Sequence, residues 1–193
     1  MLYSDNLEKT PTSWSPDDKF LLYHANGAGV GRNAVWVLPL TPERPGAPLK
    51  PVPFAPAPFD QHSAQFSPDG RWIAYVSDES QQNQVYVARF PGAGDKRQIS
   101  VGGGINPRWR RDGKEIFYVA LDRKIMSAAV NVKGDALEVA QVRPLFGPLS
   151  VADFYYYGYD VSADGQRFLI LPPPHTSGEG VTIVQNWTAG LKK

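Results

Sequence analysis

Apolar runs of about five residues recur along this chain, each entered through a polar turn of the same make. Phe20-Leu21-Leu22-Tyr23 follows Ser15-Pro16-Asp17-Asp18, and Trp72-Ile73-Ala74-Tyr75-Val76 follows Ser67-Pro68-Asp69-Gly70. Glu115-Ile116-Phe117-Tyr118-Val119 follows Arg110-Arg111-Asp112-Gly113, and Arg167-Phe168-Leu169-Ile170-Leu171 follows Ser162-Ala163-Asp164-Gly165. An aromatic or aliphatic residue stands before each turn: Trp14, Phe66, Trp109 and Val161. Asp-Gly between apolar runs predicts a hairpin, because glycine reaches positive φ without steric cost and aspartate bonds the backbone two residues on. The β-branched and aromatic content of the runs predicts strands. Runs apolar on both faces predict sheets that are covered on both sides. The first aspartates of the turns lie 52, 43 and 52 residues apart, a spacing in the range of propellers and solenoids.

Each repeat extends to a four-stranded antiparallel meander, the size of one propeller blade. Strands predicted at residues 34–38 and 84–88 follow the polar tips 26–29 and 78–83, and residues 96–100 supply a fourth strand. The fold class read from this is all-β, a propeller of about four blades in a single domain. The blades fall at residues 11–54, 63–100, 106–146 and 155–184. The last has three strands of its own, and the orphan apolar piece at residues 1–5 is expected to complete it. Closure within one chain gives a small four-bladed ring. Otherwise the chain is a half-ring, or pairs through the edge of its terminal blade into a dimeric ring. The residue before each turn is expected next to the central axis and buried. Two segments break the period: residues 39–58, with eight prolines, read as a stiff spacer, and residues 172–180 read as a long loop.

Composition narrows the classes of function. Twenty basic residues balance 19 acidic ones, for a net charge of +1. The basic clusters, such as Arg108-Trp109-Arg110-Arg111, are short, which argues against nucleic acid as a partner. Cysteine is absent, so there is no disulfide scaffold or thiolate nucleophile. No stretch is long and apolar enough to insert in a membrane, and residues 1–5 do not open a signal peptide. The three histidines His24, His62 and His175 have no metal-ligand spacing, and no cofactor or metal is expected. There is no Gly-x-Ser-x-Gly elbow. Gly27-Ala28-Gly29-Val30-Gly31 fails as a dinucleotide fingerprint, since a strand follows where a helix is needed. No catalytic residues are nominated, and the chain is expected not to be an enzyme. The candidate ligand contacts are Asp60, His62, Gln65, Asn106, Arg108, Tyr156 and Tyr159, polar groups on the inner strands and the loops entering them, with no evident packing role.

Phe66-Ser67-Pro68-Asp69-Gly70-Arg71-Trp72-Ile73-Ala74-Tyr75 resembles the hallmark of the TolB-type, WD-repeat-like β-propeller. Residues 65–77, Val85-Tyr86-Val87 with Phe90-Pro91-Gly92, residues 102–118 and Asn186-Trp187-Thr188-Ala189-Gly190-Leu191-Lys192 further resemble the C-terminal propellers of bacterial membrane-anchored serine/threonine protein kinases. The resemblance implies a sensor module with a protein or small-molecule ligand, outside the cytoplasm (periplasmic) if attached to such a kinase and otherwise cytoplasmic. No kinase motif (Val-Ala-Ile-Lys, His-Arg-Asp or Asp-Phe-Gly) occurs, so no catalytic residue is carried over. Two alternatives stand beside this reading. One is a structural half-propeller that assembles into a larger ring; the other is the substrate-gating propeller of a prolyl-oligopeptidase-type hydrolase.

Overall fold

The repeat builds four consecutive antiparallel sheets. The computed structural model describes residues 3–26, 32–56, 58–149, 158–171 and 182–185. The first blade is β1 (Lys9–Trp14), β2 (Phe20–Asn26), β3 (Asn33–Pro39) and β4 (Val52–Pro53). The second is β5 (Gln61–Phe66), β6 (Trp72–Ser77), β7 (Gln84–Arg89) and β8 (Arg97–Gln98). The third is β9 (Ile105–Trp109), β10 (Glu115–Val119), β11 (Ile125–Lys133) and β12 (Ala136–Phe146). The fourth, among the described residues, is β13 (Tyr159–Val161), β14 (Arg167–Ile170) and β15 (Thr182–Gln185). Each blade runs strand to neighbouring strand without a crossover, and the architecture is an all-β propeller.

The four turns share one hydrogen-bond scheme with one substitution. In the second, Ser67 Oγ accepts from the Trp72 N–H at 2.9 Å and donates to Asp69 Oδ1 at 2.6 Å. Ser15 and Ser162 act likewise, accepting from the N–H of Phe20 and Arg167. The third turn has no such serine. There Arg110 donates to both Asp112 oxygens at 2.8 Å and to Glu115 at 2.5 Å, tying the turn from outside. The closing residue takes the left-handed conformation in every copy: Asp18 at φ 58°, Gly70 at 70°, Gly113 and Gly165 at 72°. At Gly70 an added Cβ would stand 3.4 Å from the Pro16 ring of the preceding turn, so the turns stack blade on blade. Gly70→Ala is expected to cost about 1–2 kcal/mol through the left-handed backbone alone, read as a lowered urea midpoint at constant slope.

Alternate residues of a strand face opposite sides of the sheet, and both sides are used. Leu22 and Val37 of the first blade pack on Ile73 and Tyr75 of the second. Trp72, Ala74 and Val87 on the opposite side of the second blade pack on Ile116 and Tyr118 of the third. Phe117, Val119 and Ile125 then pack on Phe168 and Ile170 of the fourth. Each blade thus has a leading face that meets the blade before it and a trailing face that meets the blade after it. The core is a series of seams rather than one centre.

This explains the burial of the four residues that precede the turns, which differs from expectation. Phe66 is buried, but Trp109 and Val161 are half-buried and Trp14 is 55% exposed. The residue packs against the preceding blade, and among the described residues no blade precedes Trp14. The leading face of the first blade, with Tyr23, Ala25 and Leu38, is instead covered in part by Tyr3 and Leu7. Tyr3 and Ser4 lie outside any strand, Met1 and Leu2 lie outside the described residues, and β15 pairs with β14 alone among them. Within the proline-rich stretch, Val52–Pro53 pairs with Trp36 and Val37, and Phe54 enters the first seam.

Candidate functional site

The inner strands β1, β5, β9 and β13 meet along one polar rim. The residue just before the seam position is polar in every blade: Ser13, Gln65, Arg108 and Asp160. Strand alternation turns it away from its neighbour. A cleft of about 490 Å³ opens on this rim, lined by Thr12, Gln65, Arg108, Tyr159, Asp160, Leu169 and Leu171, so every blade contributes. Gln65 Nε2 donates to the Thr12 carbonyl at 2.7 Å and fixes the first two blades to one another there. Arg108 lies 3.7 Å from Asp160 Oδ1, and its guanidinium sits 5.9 Å from the centre of the Tyr159 ring. The Arg108 side chain is mostly buried, whereas that of Asp160 is 70% exposed. Asp160 Oδ1 also accepts from the Val161 N–H at 2.9 Å, and Arg108 donates to the Pro107 carbonyl at 2.9 Å, so both groups are held by the backbone beside them.

A buried polar network underlies the rim. Ser63 and Asn106 take the left-handed backbone conformation, at φ 53° and 52°, where the pairing of β5 with β6 and of β9 with β10 shifts register. A shift of this kind is a β-bulge, which re-aims the side chains beyond it; here those are Gln65 and Arg108. Ser63 Oγ donates to Asn106 Oδ1 at 3.2 Å, its oxygen lies 2.9 Å from His62 Nδ1, and the Tyr159 hydroxyl donates to the Asn106 carbonyl at 2.9 Å. Burial holds the Tyr159 phenol above its ordinary range, so it stays a neutral donor. His24 and His62 meet edge to face at 6.3 Å in the first seam. Burial lowers the His24 pKa to about 4, with the neighbouring His62 adding to the effect. Burial also lowers that of His62, against the opposing pull of Asp60 and Asp78. Both rings are neutral near pH 7.

Of the seven candidate contacts, Gln65, Arg108 and Tyr159 line the cleft. Asp60, His62 and Asn106 do not. Their polar groups have packing roles after all: Asp60 Oδ1 accepts from the Asn33 backbone at 2.7 Å and from its side chain at 3.1 Å, and the other two belong to the buried network. Tyr156 lies outside the described residues. Sequence reasoning missed Thr12, Asp160, Leu169 and Leu171. The available signal for Asp160 was its place one residue before Val161, equivalent to Gln65 and Arg108. The described cleft residues include the titratable Arg108, Tyr159 and Asp160. What they can do is hold an anionic or amide-bearing ligand against a guanidinium, a carboxamide and an aliphatic shelf.

No protein-family model matches the chain, and no curated protein is found similar to it in sequence. Solved structures do resemble it in fold. TolB from Acinetobacter baumannii is 20% identical with a TM-score of 0.66, over 95% of this chain and 42% of that one. The periplasmic gluconolactonase PpgL of Pseudomonas aeruginosa is 23% identical with a TM-score of 0.52, over 81% and 45%. A puromycin-hydrolyzing peptidase of Mycobacterium tuberculosis is 18% identical with a TM-score of 0.54, over 85% and 28%. The chain thus spans less than half the length of each of these. The likeness is one of β-propeller fold, including the TolB-type, and it extends across proteins of different activity.

Proposed function

We propose that the chain is a non-catalytic binding module whose ligand occupies the rim cleft, and that it serves as the sensing propeller of a larger signalling protein. The observation that carries the first part is the convergence of all four inner strands on Thr12, Gln65, Arg108 and Asp160. Two bulges aim two of these residues, at the cost of left-handed backbone at Ser63 and Asn106. The second part rests on the sequence resemblance to propellers of membrane-anchored kinases. The test is a thermal-shift screen of small polar metabolites and short peptides against the wild type, followed by titration of each hit. Arg108→Ala is expected to weaken a true ligand about ten-fold or more, the loss of one charge-assisted hydrogen bond. Hits that bind Arg108→Ala undiminished, or turnover of any compound in the panel, would overturn the reading.

The trailing face of the fourth blade favours a second reading, structural assembly. Leu169, Leu171 and Ile183 there are 47%, 50% and 56% exposed, whereas Leu22, Ala74 and Phe117, the equivalents of Leu169 in the earlier blades, are fully buried. A second copy covering this face would extend the series of seams into a larger ring. Light scattering across micromolar concentrations decides the matter: a dimer mass that Leu169→Asp abolishes supports assembly, and a monomer throughout excludes it.

A further inference from the structure

A second concavity, independent of the rim cleft, lies on the turn side of the seam between the second and third blades. It has a volume of about 820 Å³, within the range of small-molecule sites. Its walls are the Ser67–Asp69 part of one turn, the Arg111–Lys114 part of the next, the rings of Trp72 and Trp109, and the outer end of β11 from Val130 to Lys133. The groove exists because β11 is longer than its counterparts, with nine residues against seven in β3 and six in β7. Its outer end therefore runs past the seam and stands opposite the turn of the second blade.

The charges of the groove are unequally committed. Asp69 is engaged by Arg71 and Ser67, and Asp112 by Arg110. Lys133 pairs with Glu138 at 2.9 Å. The guanidinium of Arg111 and the ammonium of Lys114 make no ion pair or hydrogen bond among the described residues, although both residues line the groove. Their backbones are held, Arg111 N–H by the Ala163 carbonyl and Lys114 N–H by Asp112. Trp109 is half-buried and fixed in orientation by its Nε1–H, which donates to the Gln65 carbonyl at 3.4 Å. Behind it, the buried Nε1–H of Trp72 has no partner among the described residues. Two cations with anchored backbones and no ion pair thus stand beside an oriented indole and the exposed side chain of Val132, with Lys114 acting through space on the Asp112 carboxylate.

The geometry points to a binding site for a small organic anion: a planar apolar group seated on Trp109 and Val132, carrying a carboxylate or phosphate held by Arg111 and Lys114. A guanidinium and an ammonium suit such an anion, the first through paired donors and the second as a point charge. An indole beside aliphatic residues suits a ring.

Tryptophan fluorescence supplies the readout, with phenyl phosphate as the probe and with phenol and inorganic phosphate as its separate halves. Phenyl phosphate is expected to change the emission saturably, with each half binding at least about ten-fold more weakly. The double variant Arg111→Ala/Lys114→Ala is expected to lose about ten-fold or more of the probe's affinity while keeping the wild-type melting temperature. Arg108→Ala, in the rim cleft, is expected to bind the probe as the wild type does. No saturable response below about 10 mM, a response retained in the double variant, or equal binding of either half would overturn the site. Loss of the response in Arg108→Ala would do the same, by placing the probe in the rim cleft.

Discussion

Replacing Phe168 with alanine is expected to cost about 3–5 kcal/mol, the range for a large aromatic removed from a closed core. Phe168 is fully buried and is the main side chain the fourth blade sends into the third seam. It meets Phe117 and Phe146 edge to face, each at 5.1 Å, and stacks on Tyr159 at 6.4 Å. Aromatic pairs of this kind add about 0.5–1.5 kcal/mol each beyond the area they bury. The cavity left behind would be walled by rings from β10, β12 and β13, held in separate strands that cannot all move inward. The loss should also be local. A blade touches only its neighbours, so the fourth blade should open before the first two, as in other stacked repeat proteins. Amide hydrogen exchange checks this directly: protection should fall in β13 and β14 of the variant and persist in β2 and β6. A loss below about 1 kcal/mol would mean that Phe168 does not fill a closed core, and uniform loss of protection would mean that the seams are not separate units.

Acidification should destabilise the protein well above the range in which its carboxylates titrate. His24 has a pKa near 4 in the folded chain, against its ordinary value of 6.5. A lowered histidine pKa means that the folded state binds the proton less readily than the unfolded state. The stability it confers is therefore complete above about pH 6.5 and is lost as pH falls from there toward about 4. The full difference is about 3 kcal/mol at 1.36 kcal/mol per pKa unit, most of it gone by about pH 4.5. His62 shifts in the same direction and adds to the loss, moderated by Asp60 and Asp78. The aspartates of the turns, such as Asp17 and Asp164, have lowered pKa values through their serine partners, so their contribution is lost below about pH 4, in a separate window. Urea unfolding at about pH 7 and about pH 4.5 should show the drop, and His24→Leu should remove much of it. An unchanged midpoint across that interval would show that the two rings are reached by water.

The turns were legible in the sequence because they rest on local chemistry. Serine, aspartate and a residue that accepts positive φ stand at fixed offsets, and each bonds within five residues of itself. The third turn has the same offsets, yet its serine role passes to Arg110, and that exchange needs Glu115 from the following strand. Burial was less legible, because a repeat has identical residues in non-identical places. Trp14 matches Trp109 in sequence and differs from it in having no preceding blade among the described residues. The site was read in part. Gln65, Arg108 and Tyr159 stood out as polar residues on the inner strands with no evident packing role. Asp60, His62 and Asn106 looked equally free, since nothing local announces that Ser63 and Asn106, 43 residues apart, meet as hydrogen-bond partners. The bulges that aim the rim residues are likewise products of pairing between strands, which no single run encodes.

The exposed trailing face of the fourth blade has a consequence for evolution and for design. Every seam joins a trailing face to a leading face at equivalent positions, so a duplicated blade could be spliced between any two without disturbing the register of either. A repeat carrying an aromatic before its turn and aliphatic residues at the positions of Ile73 and Tyr75 would find its template already waiting in Leu169, Leu171 and Ile183. A scaffold whose units touch only their neighbours can be extended by whole modules, as a row of tiles is, and the rim would gain one new polar position with each tile laid.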